Sequence, residues 1–406
     1  MRILYLSHRF PYPPTFGSKV RAFHTIRHLA RSHQVTVLAP VRSDEEAEQA
    51  KGIAPHCHSF HVFPVGAAAQ TLKVALSTIS SVTASEAFFH SGAMRRMVKQ
   101  LLAARSFDFV FVHCSSVGRA VATLTELPKL IDFCDVDSRK WLDYTAFKPW
   151  PLSLGYGWEA ARLARVERHL VRAFDLATVA TPGELDALKE IGAEPGKLDW
   201  FPNGVDVDFF RPSDEPYDTE LITFVGRMDY FPNEQAMTDF CNDTWPRLRA
   251  VRPSVRLQIV GASPTPAVRR LASLPGVSVT GAVADVRPYV QRSALTIAPL
   301  KIARGTQNKI LESMAMGVPV VASRIAACGV DAVAGEHLLA AATNAELGDA
   351  ILRLLGDARL RSRLGTAGRE RVLSHHTWVR SMQRLDALVD RCVASRASAE
   401  LAVQRS

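Results

Sequence analysis

The chain has 406 residues, 47% of them hydrophobic and 22% charged. That length and balance fit a soluble globular protein of two domains, each able to bury its own core, and exclude a disordered chain, a collagen-like repeat and a small disulfide-stapled scaffold. Lys and Arg exceed Asp and Glu by 49 to 40, with +5 of the +9 surplus in residues 1–200 and +4 beyond, so no basic tail or block marks a nucleic-acid-binding arm.

In chain order, residues 3–6 and 35–39 read as buried strands, with Val20, Phe23, Ile26 and Ala30 at helical spacing between them. The opening apolar run is too short for a signal peptide. The stretch 60–82 is broken by Pro64, Gln70 and Lys73 and does not read as a membrane span. Residues 90–107 form an amphipathic helix carrying Arg95, Arg96, Lys99 and Arg105. It is either a domain helix with a solvated face or a helix that docks on an anionic inner membrane surface. Strands are expected at 107–113, 130–133 and 176–180, with a charged amphipathic helix over 159–174.

The second half restarts the pattern, with strands at 221–225, 256–260, 277–280, 295–298 and 318–322. The first three end on Gly226, Gly261 and Gly281. Glycine just past a buried strand suits a turn where the backbone must approach a ligand. Two polar, Pro-rich runs, 201–206 and 211–216, separate the halves. The expected organisation is therefore α/β, with two doubly wound parallel-sheet domains. The first spans 1–200, a hinge 201–218, and the second domain 219–376. A helix and tail over 377–406 are expected to pack back toward the first domain, the helix over 377–393 and the residues beyond Ser395 frayed. The six cysteines, Cys57, Cys114, Cys134, Cys241, Cys328 and Cys392, form no C-x-x-C pair, which fits a reducing cytoplasm and no zinc site.

The most informative stretch runs Gly305-Thr306-Gln307-Asn308-Lys309-Ile310-Leu311-Glu312 and on to Gly317 and Ser323. A Gly turn opens a helix whose free N–H groups, with Lys309, suit a pyrophosphate, while Glu312 suits two vicinal ribose hydroxyls. The same residues also read as a plain helix start with a solvated Lys and Glu. In the first half, His113 ends a strand and is followed by Cys114-Ser115-Ser116, a position that lines ligand crevices in open α/β sheets, although a strand-end His is also commonly packed or capping. Asp135-Val136-Asp137 has the spacing of an Asp-x-Asp metal motif, but equally suits sugar hydroxyls or a helix cap.

Taken together, these segments resemble the retaining glycosyltransferases of family 4. The resemblance covers nearly the whole chain. It is carried by Arg9-Phe10-Pro11-Tyr12-Pro13-Pro14 through Gly17, by Pro202 to Asp206, and by Phe224-Val225-Gly226-Arg227-Met228-Asp229 with Pro232-Asn233. It continues through Ile259-Val260-Gly261, Val279-Thr280-Gly281-Ala282-Val283-Ala284-Asp285 and the Gly305 to Ser323 block. Asp132-Phe133-Cys134-Asp135-Val136-Asp137-Ser138-Arg139-Lys140-Trp141 resembles a narrower subgroup, the sugar transferases associated with exopolysaccharide and exosortase (PEP-CTERM) clusters.

The resemblance implies the GT-B fold, two Rossmann-like domains facing each other across a cleft. It further implies a nucleotide-diphosphate sugar donor on the second domain, a glycan or lipid-linked glycan acceptor on the first, and no metal or other cofactor. By that resemblance Arg227 and Lys309 hold the donor pyrophosphate, and His113 lies beside the donor sugar. Glu312 takes the ribose, Gly281 and Val283 border the base, and Gly17, Gly226, Gly261, Gly305, Thr306 and Gln307 line the donor. Ser115, Ser116, Asp135 and Asp137 fall on the acceptor side. Two departures stand out. The first glutamate of the family's pair is replaced by Arg304, which either contacts the donor or lies on the surface, and the lysine beyond the Gly-Arg pair is replaced by Tyr230-Phe231-Pro232-Asn233. A nucleotide-sugar epimerase and a non-catalytic partner subunit share this architecture.

Overall fold

The computed structural model describes residues 1–15, 17–77 and 80–404, except the side chains of residues 67 and 397–404. The chain divides into two compact units, one of Met1–Pro202 with Ser381–Ser406 and one of Asn203–Arg380.

The first unit holds seven parallel strands: β1 (Arg2–Ser7), β2 (Gln34–Val41), β3 (Ser59–Pro64), β4 (Phe109–His113), β5 (Lys129–Cys134), β6 (Leu176–Val179) and β7 (Leu198–Trp200). Their order is β3-β2-β1-β4-β5-β6-β7, so the direction of winding reverses between β1 and β4. Covered on both faces, β1, β4 and β5 are buried almost throughout, which is why they read as unbroken apolar runs. Helix Gly17–Leu29 returns the chain from β1 to β2 and buries Ala22, Phe23, Ile26 and Leu29. β3 and β7 were not expected. The first is an edge strand, buried only at Phe63, and the second has three residues.

The second unit repeats the plan with six parallel strands: β8 (Asp218–Val225), β9 (Arg256–Val260), β10 (Val277–Gly281), β11 (Ser293–Ala298), β12 (Val320–Ser323) and β13 (Leu339–Ala341). Their order is β10-β9-β8-β11-β12-β13, with the reversal between β8 and β11. Ile222, Phe224, Leu257, Ile259, Leu295, Ile297 and Val321 form the centre of its core. In open sheets of this kind ligands bind beyond the carboxyl ends of the strands at the reversal.

The boundaries differ from the expected ones. Asn203 and the stretch to residue 218, expected as a hinge, belong to the second unit. The cause is packing: Val205 is buried, and its N–H donates to the His376 carbonyl at 2.7 Å. Phe201, also expected in the hinge, is fully buried in the first unit.

The last helix, Trp378–Gln404, is longer than expected and continues past Ser395. From Ser381 onward it belongs to the first unit, where Leu385, Leu388, Val389 and Cys392 are buried. Arg384 and Arg391 both pair with Asp199, at 2.9 and 2.8 Å, and His28 pairs with Asp386 at 2.7 Å. The tail residues 405–406 lie outside the described residues. No helix among the described residues is long and apolar enough to cross a membrane.

Candidate functional site

In the second unit the predicted glycines lie at neighbouring strand ends. The Gly226 N–H donates to the Val260 carbonyl at 3.0 Å, and the Gly261 N–H to the Gly281 carbonyl at 3.2 Å. Gly261 has φ +148°, and a Cβ there would lie 1.8 Å from the Gly226 oxygen, so no other residue fits. A Cβ at Gly226 would lie 2.7 Å from Asn233 Nδ2 and 3.2 Å from Lys309 Nζ. Gly226 therefore leaves the space in which the Lys309 ammonium sits. Gly281 has φ +73° and open space around its Cβ position, and Val283 just beyond it is half-buried.

Asn233 organises this corner. It is buried, its Nδ2 donates to the Arg227 carbonyl at 2.9 Å, and its Oδ1 accepts from Lys309 Nζ at 2.6 Å. The same ammonium lies 4.2 Å from the centre of the Phe224 ring. Lys309 is thus fixed by an amide and an aromatic face. Burial lowers its pKa to about 7 and raises that of Glu312, one helical turn on, also to about 7; each charge eases the other's shift. An anion arriving here would favour the ammonium.

The Arg227 guanidinium is half exposed and paired with Asp229, its Nε 3.0 Å from Oδ1. Asp229 is a partner that any diphosphate bound by Arg227 must displace or share. Gly305 (φ +59°) turns the chain before helix Asn308–Ala315, and Gln307 Nε2 donates back to the Arg304 carbonyl at 3.0 Å. Gln307, the residue before the helix, makes no side-chain cap, so the helix N-terminus presents backbone N–H groups. Arg304 and Thr306 are half-buried beside this turn. Asn233 thus joins Gly226, Arg227 and Lys309, and Gly261 and Gly281 follow through the contacts between neighbouring strand ends. Asn233 appeared in the sequence only as part of the Pro232-Asn233 match.

In the first unit, the strand ends of β4 and β5 hold a buried charge network that sequence reasoning missed. Arg21, on helix Gly17–Leu29, donates from Nε and Nη2 to the two oxygens of Asp132, at 2.7 and 2.9 Å, and both side chains are buried. Arg21 also donates to the Phe201 carbonyl at 3.0 Å and lies 3.6 Å from that ring's centre, while Thr178 donates to Asp132 at 3.1 Å. Burial works against the Asp132 charge, but Arg21 and the His113 hydrogen bond prevail and hold it well below the usual carboxylate range.

His113 is part of this network and is fully buried, with Nδ1 3.3 Å from Asp132 and Nε2 3.2 Å from the Ser18 carbonyl. His113, expected beside the donor sugar, here has partners at both ring nitrogens and ties β4 to the first turn of helix Gly17–Leu29. Gly17 itself is exposed with nothing near its Cβ position. His113, Asp132 and Cys134 bring one ligand atom each within 4.8 Å of one another. The Asp132 carboxylate is already neutralised by Arg21, so this donor set fits an internal ion pair rather than a divalent cation.

The Asp-x-Asp pair is divided. Asp137 accepts from Ser115 Oγ at 3.2 Å and pairs with Lys140, whereas burial, and then Glu184, push Asp135 up to about 7. Ser115 is thereby turned inward, and Ser116 points its hydroxyl at Cys114 Sγ, 3.6 Å away. The two carboxylates therefore have separate partners.

Two parallel-sheet Rossmann-like units, with glycine-lined strand ends and a fixed lysine in the second, define an α/β protein of the GT-B fold. Residues 16–204 match the Glycosyl transferase 4-like domain and residues 219–357 the Glycosyl transferases group 1 domain. The two matches lie one after the other along the chain, so it is similar to glycosyl transferases in both halves. It is 25% identical over 264 residues to the D-inositol 3-phosphate glycosyltransferase of Corynebacterium glutamicum, covering 58% of this chain and 62% of that protein. It is 26% identical over 262 residues to the protein of the same name from Nocardiopsis dassonvillei, covering 58% and 60%. The chain thus spans less than two thirds of the length of these curated relatives. Among solved structures, Anabaena HepE in complex with UDP and glucose is similar at TM-score 0.69 and 14% identity, over 96% of this chain and all of that one. The sucrose-phosphate synthase of Thermosynechococcus elongatus is similar at TM-score 0.71 and 17% identity, over 97% and 100%.

Proposed function

We propose that the protein transfers a hexosyl group from a nucleotide-diphosphate sugar to a glycan or lipid-linked glycan acceptor, with retention of anomeric configuration and without a metal. The observation that carries this reading is Lys309, fixed by Asn233 in the space that Gly226 leaves open. Transfer develops negative charge on the departing nucleoside diphosphate. Lys309, Arg227 and the N–H groups opening helix Asn308–Ala315 are the fixed positive ends that stabilise it. Glu312 takes the ribose hydroxyls, and the leaving phosphate oxygen accepts the acceptor's proton.

A place in exopolysaccharide synthesis rests on the resemblance of residues 132–141. Within that segment Asp132 and Ser138 have internal work, pairing with Arg21 and Glu167. Contact with an anionic inner membrane rests on helix Gly92–Ala103, where Arg95, Arg96 and Lys99 are exposed. Replacing the three with Gln should reduce co-sedimentation with anionic vesicles, and unchanged binding would remove the membrane from the proposal.

Thermal shift with UDP and UDP-sugars tests the donor site, UDP being the nucleotide present in the HepE structure. A raised midpoint in the wild type that Lys309→Ala loses, with the variant folded, is the expected outcome. No response to any nucleotide would favour a non-catalytic subunit, and sugar epimerisation without acceptor would favour an epimerase.

A further inference from the structure

The carboxyl ends of β1 and β2 carry a second group of cations that the donor reading does not use. His8 and Arg9 directly follow β1, and Arg42 directly follows β2. All three surround one ring, Phe89, at the end of helix Ala84–Phe89. His8 meets it edge-on at 4.8 Å between centroids, and the Arg9 and Arg42 guanidinium carbons lie 5.1 and 5.2 Å from its centre. Phe88 adds a second wall, 4.4 Å from Arg42. His8 is 8% exposed, and its Nδ1 has no hydrogen-bond partner among the described residues. It borders the reversal between β1 and β4, its ring stacked 5.7 Å from His113.

A structural role explains part of this arrangement, since guanidinium groups pack well over aromatic faces. It leaves the buried, unpaired nitrogen of His8 unexplained, because such an atom ordinarily finds a partner. It also leaves the Arg42 side chain without a paired carboxylate among the described residues. Burial, then His113, Arg9, Lys140 and Arg42, all push His8 toward its neutral form, so the imidazole sits in a positive field and can still donate one N–H. Glu46, the carboxylate whose charge acts on Arg42, accepts the Arg42 backbone N–H at 2.9 Å and the Lys19 ammonium at 2.8 Å.

We propose that His8, Arg9 and Arg42, gathered around Phe89 at the strand ends of the first unit, form a subsite for a phosphate-bearing group of the acceptor. Two guanidinium groups and one neutral imidazole N–H suit the several oxygens of a phosphate ester. The Phe88 and Phe89 rings line one side of these groups, and charge-assisted bonds to a phosphate are the strong ones. As an acceptor subsite it rests on the transferase reading; as an anion site it stands on its own residues.

The test titrates the full chain, saturated with UDP so that the donor site is filled, with glycerol 3-phosphate. UDP affinity is measured for every sample. The wild type should bind. Arg9→Gln, at a half-buried position, and Arg42→Gln, at an exposed one, should each weaken binding about tenfold, or ~1.4 kcal/mol, with the fold of each variant checked by circular dichroism. An affinity that either substitution leaves unchanged, or no binding by the wild type, overturns the subsite. If UDP itself fails to bind, the donor reading falls, and the same two substitutions still decide the anion site. A second arm uses phosphatidylcholine vesicles with and without phosphatidic acid. Competition between the phosphatidic acid vesicles and glycerol 3-phosphate supports a lipid-borne phosphate as the source, and binding of glycerol 3-phosphate without such competition supports a free one.

Discussion

Lys309 is a half-buried charged group and Asp132 a fully buried one, and the protein treats them in opposite ways. Asp132 has its counter-ion built in, because Arg21 meets it with two parallel hydrogen bonds. Its folded pKa lies below the ordinary 3.8, so the stability it contributes is present above that value and is lost as pH falls through the acid range. Asp132→Asn removes the carboxylate that neutralises the buried Arg21 guanidinium, and should cost about 3–5 kcal/mol in urea unfolding. The double change Arg21→Met, Asp132→Leu should restore much of that loss, since the burden is a buried charge without its neutralising carboxylate. Lys309, by contrast, meets an amide oxygen and a ring, and burial brings its pKa down to about 7. A bound diphosphate supplies the missing negative charge and moves that pKa up again. Above pH 7, UDP binding should therefore be accompanied by proton uptake, visible as a calorimetric enthalpy that changes with the buffer's ionisation enthalpy. Lys309→Met should lower that uptake; an enthalpy equally buffer-dependent in the variant would assign the proton elsewhere.

At the scale of elements, the strand ends show what the sequence displays and what it hides. The central strands were legible because parallel strands covered on both faces must be apolar at every position. β3, β7 and β13 were not, because β3 is mostly half-buried at an edge and the others have three residues each. The three glycines were legible as punctuation, yet their roles differ in a way only geometry reveals. Gly261→Ala places a methyl on the Gly226 carbonyl and should cost more than about 3 kcal/mol, with loss of UDP binding. Gly281→Ala meets open space and carries only left-handed strain, about 1–2 kcal/mol. Equal melting points for the two variants would remove the close-approach argument. The residues that hold the sites in place were the least visible. Arg21 and Asp132 are 111 positions apart, and Asn233 and Lys309 are 76 apart. Nothing in local spacing joins them, whereas Lys309 and Glu312 stood out because one helical turn carries both.

At the scale of the molecule, the chain passes between its two units twice, at Pro202–Asn203 and again within the last helix at Arg380–Ser381. Each unit has its own sheet and core, so each should unfold as a cooperative body. The returning helix contributes Leu385, Leu388, Val389 and Cys392 to the first unit, together with two arginines on Asp199. Deleting residues 381–406 removes that apolar surface and leaves Asp199 without those partners. Hydrogen exchange read peptide by peptide through a urea titration should then show the sheet of residues 1–202 opening at lower urea than in the intact chain. Residues 203–380 should open where they did before. UDP should act on the other body: at a hundredfold excess over its dissociation constant, it should raise the stability of residues 203–380 by about 2.7 kcal/mol. Residues 1–202 should respond less, because the cations assigned to the diphosphate, Arg227 and Lys309, both belong to the second unit. Equal stabilisation of both peptide sets by UDP would mean that the two units unfold as one body, and the separate response of the deletion variant would fail with it.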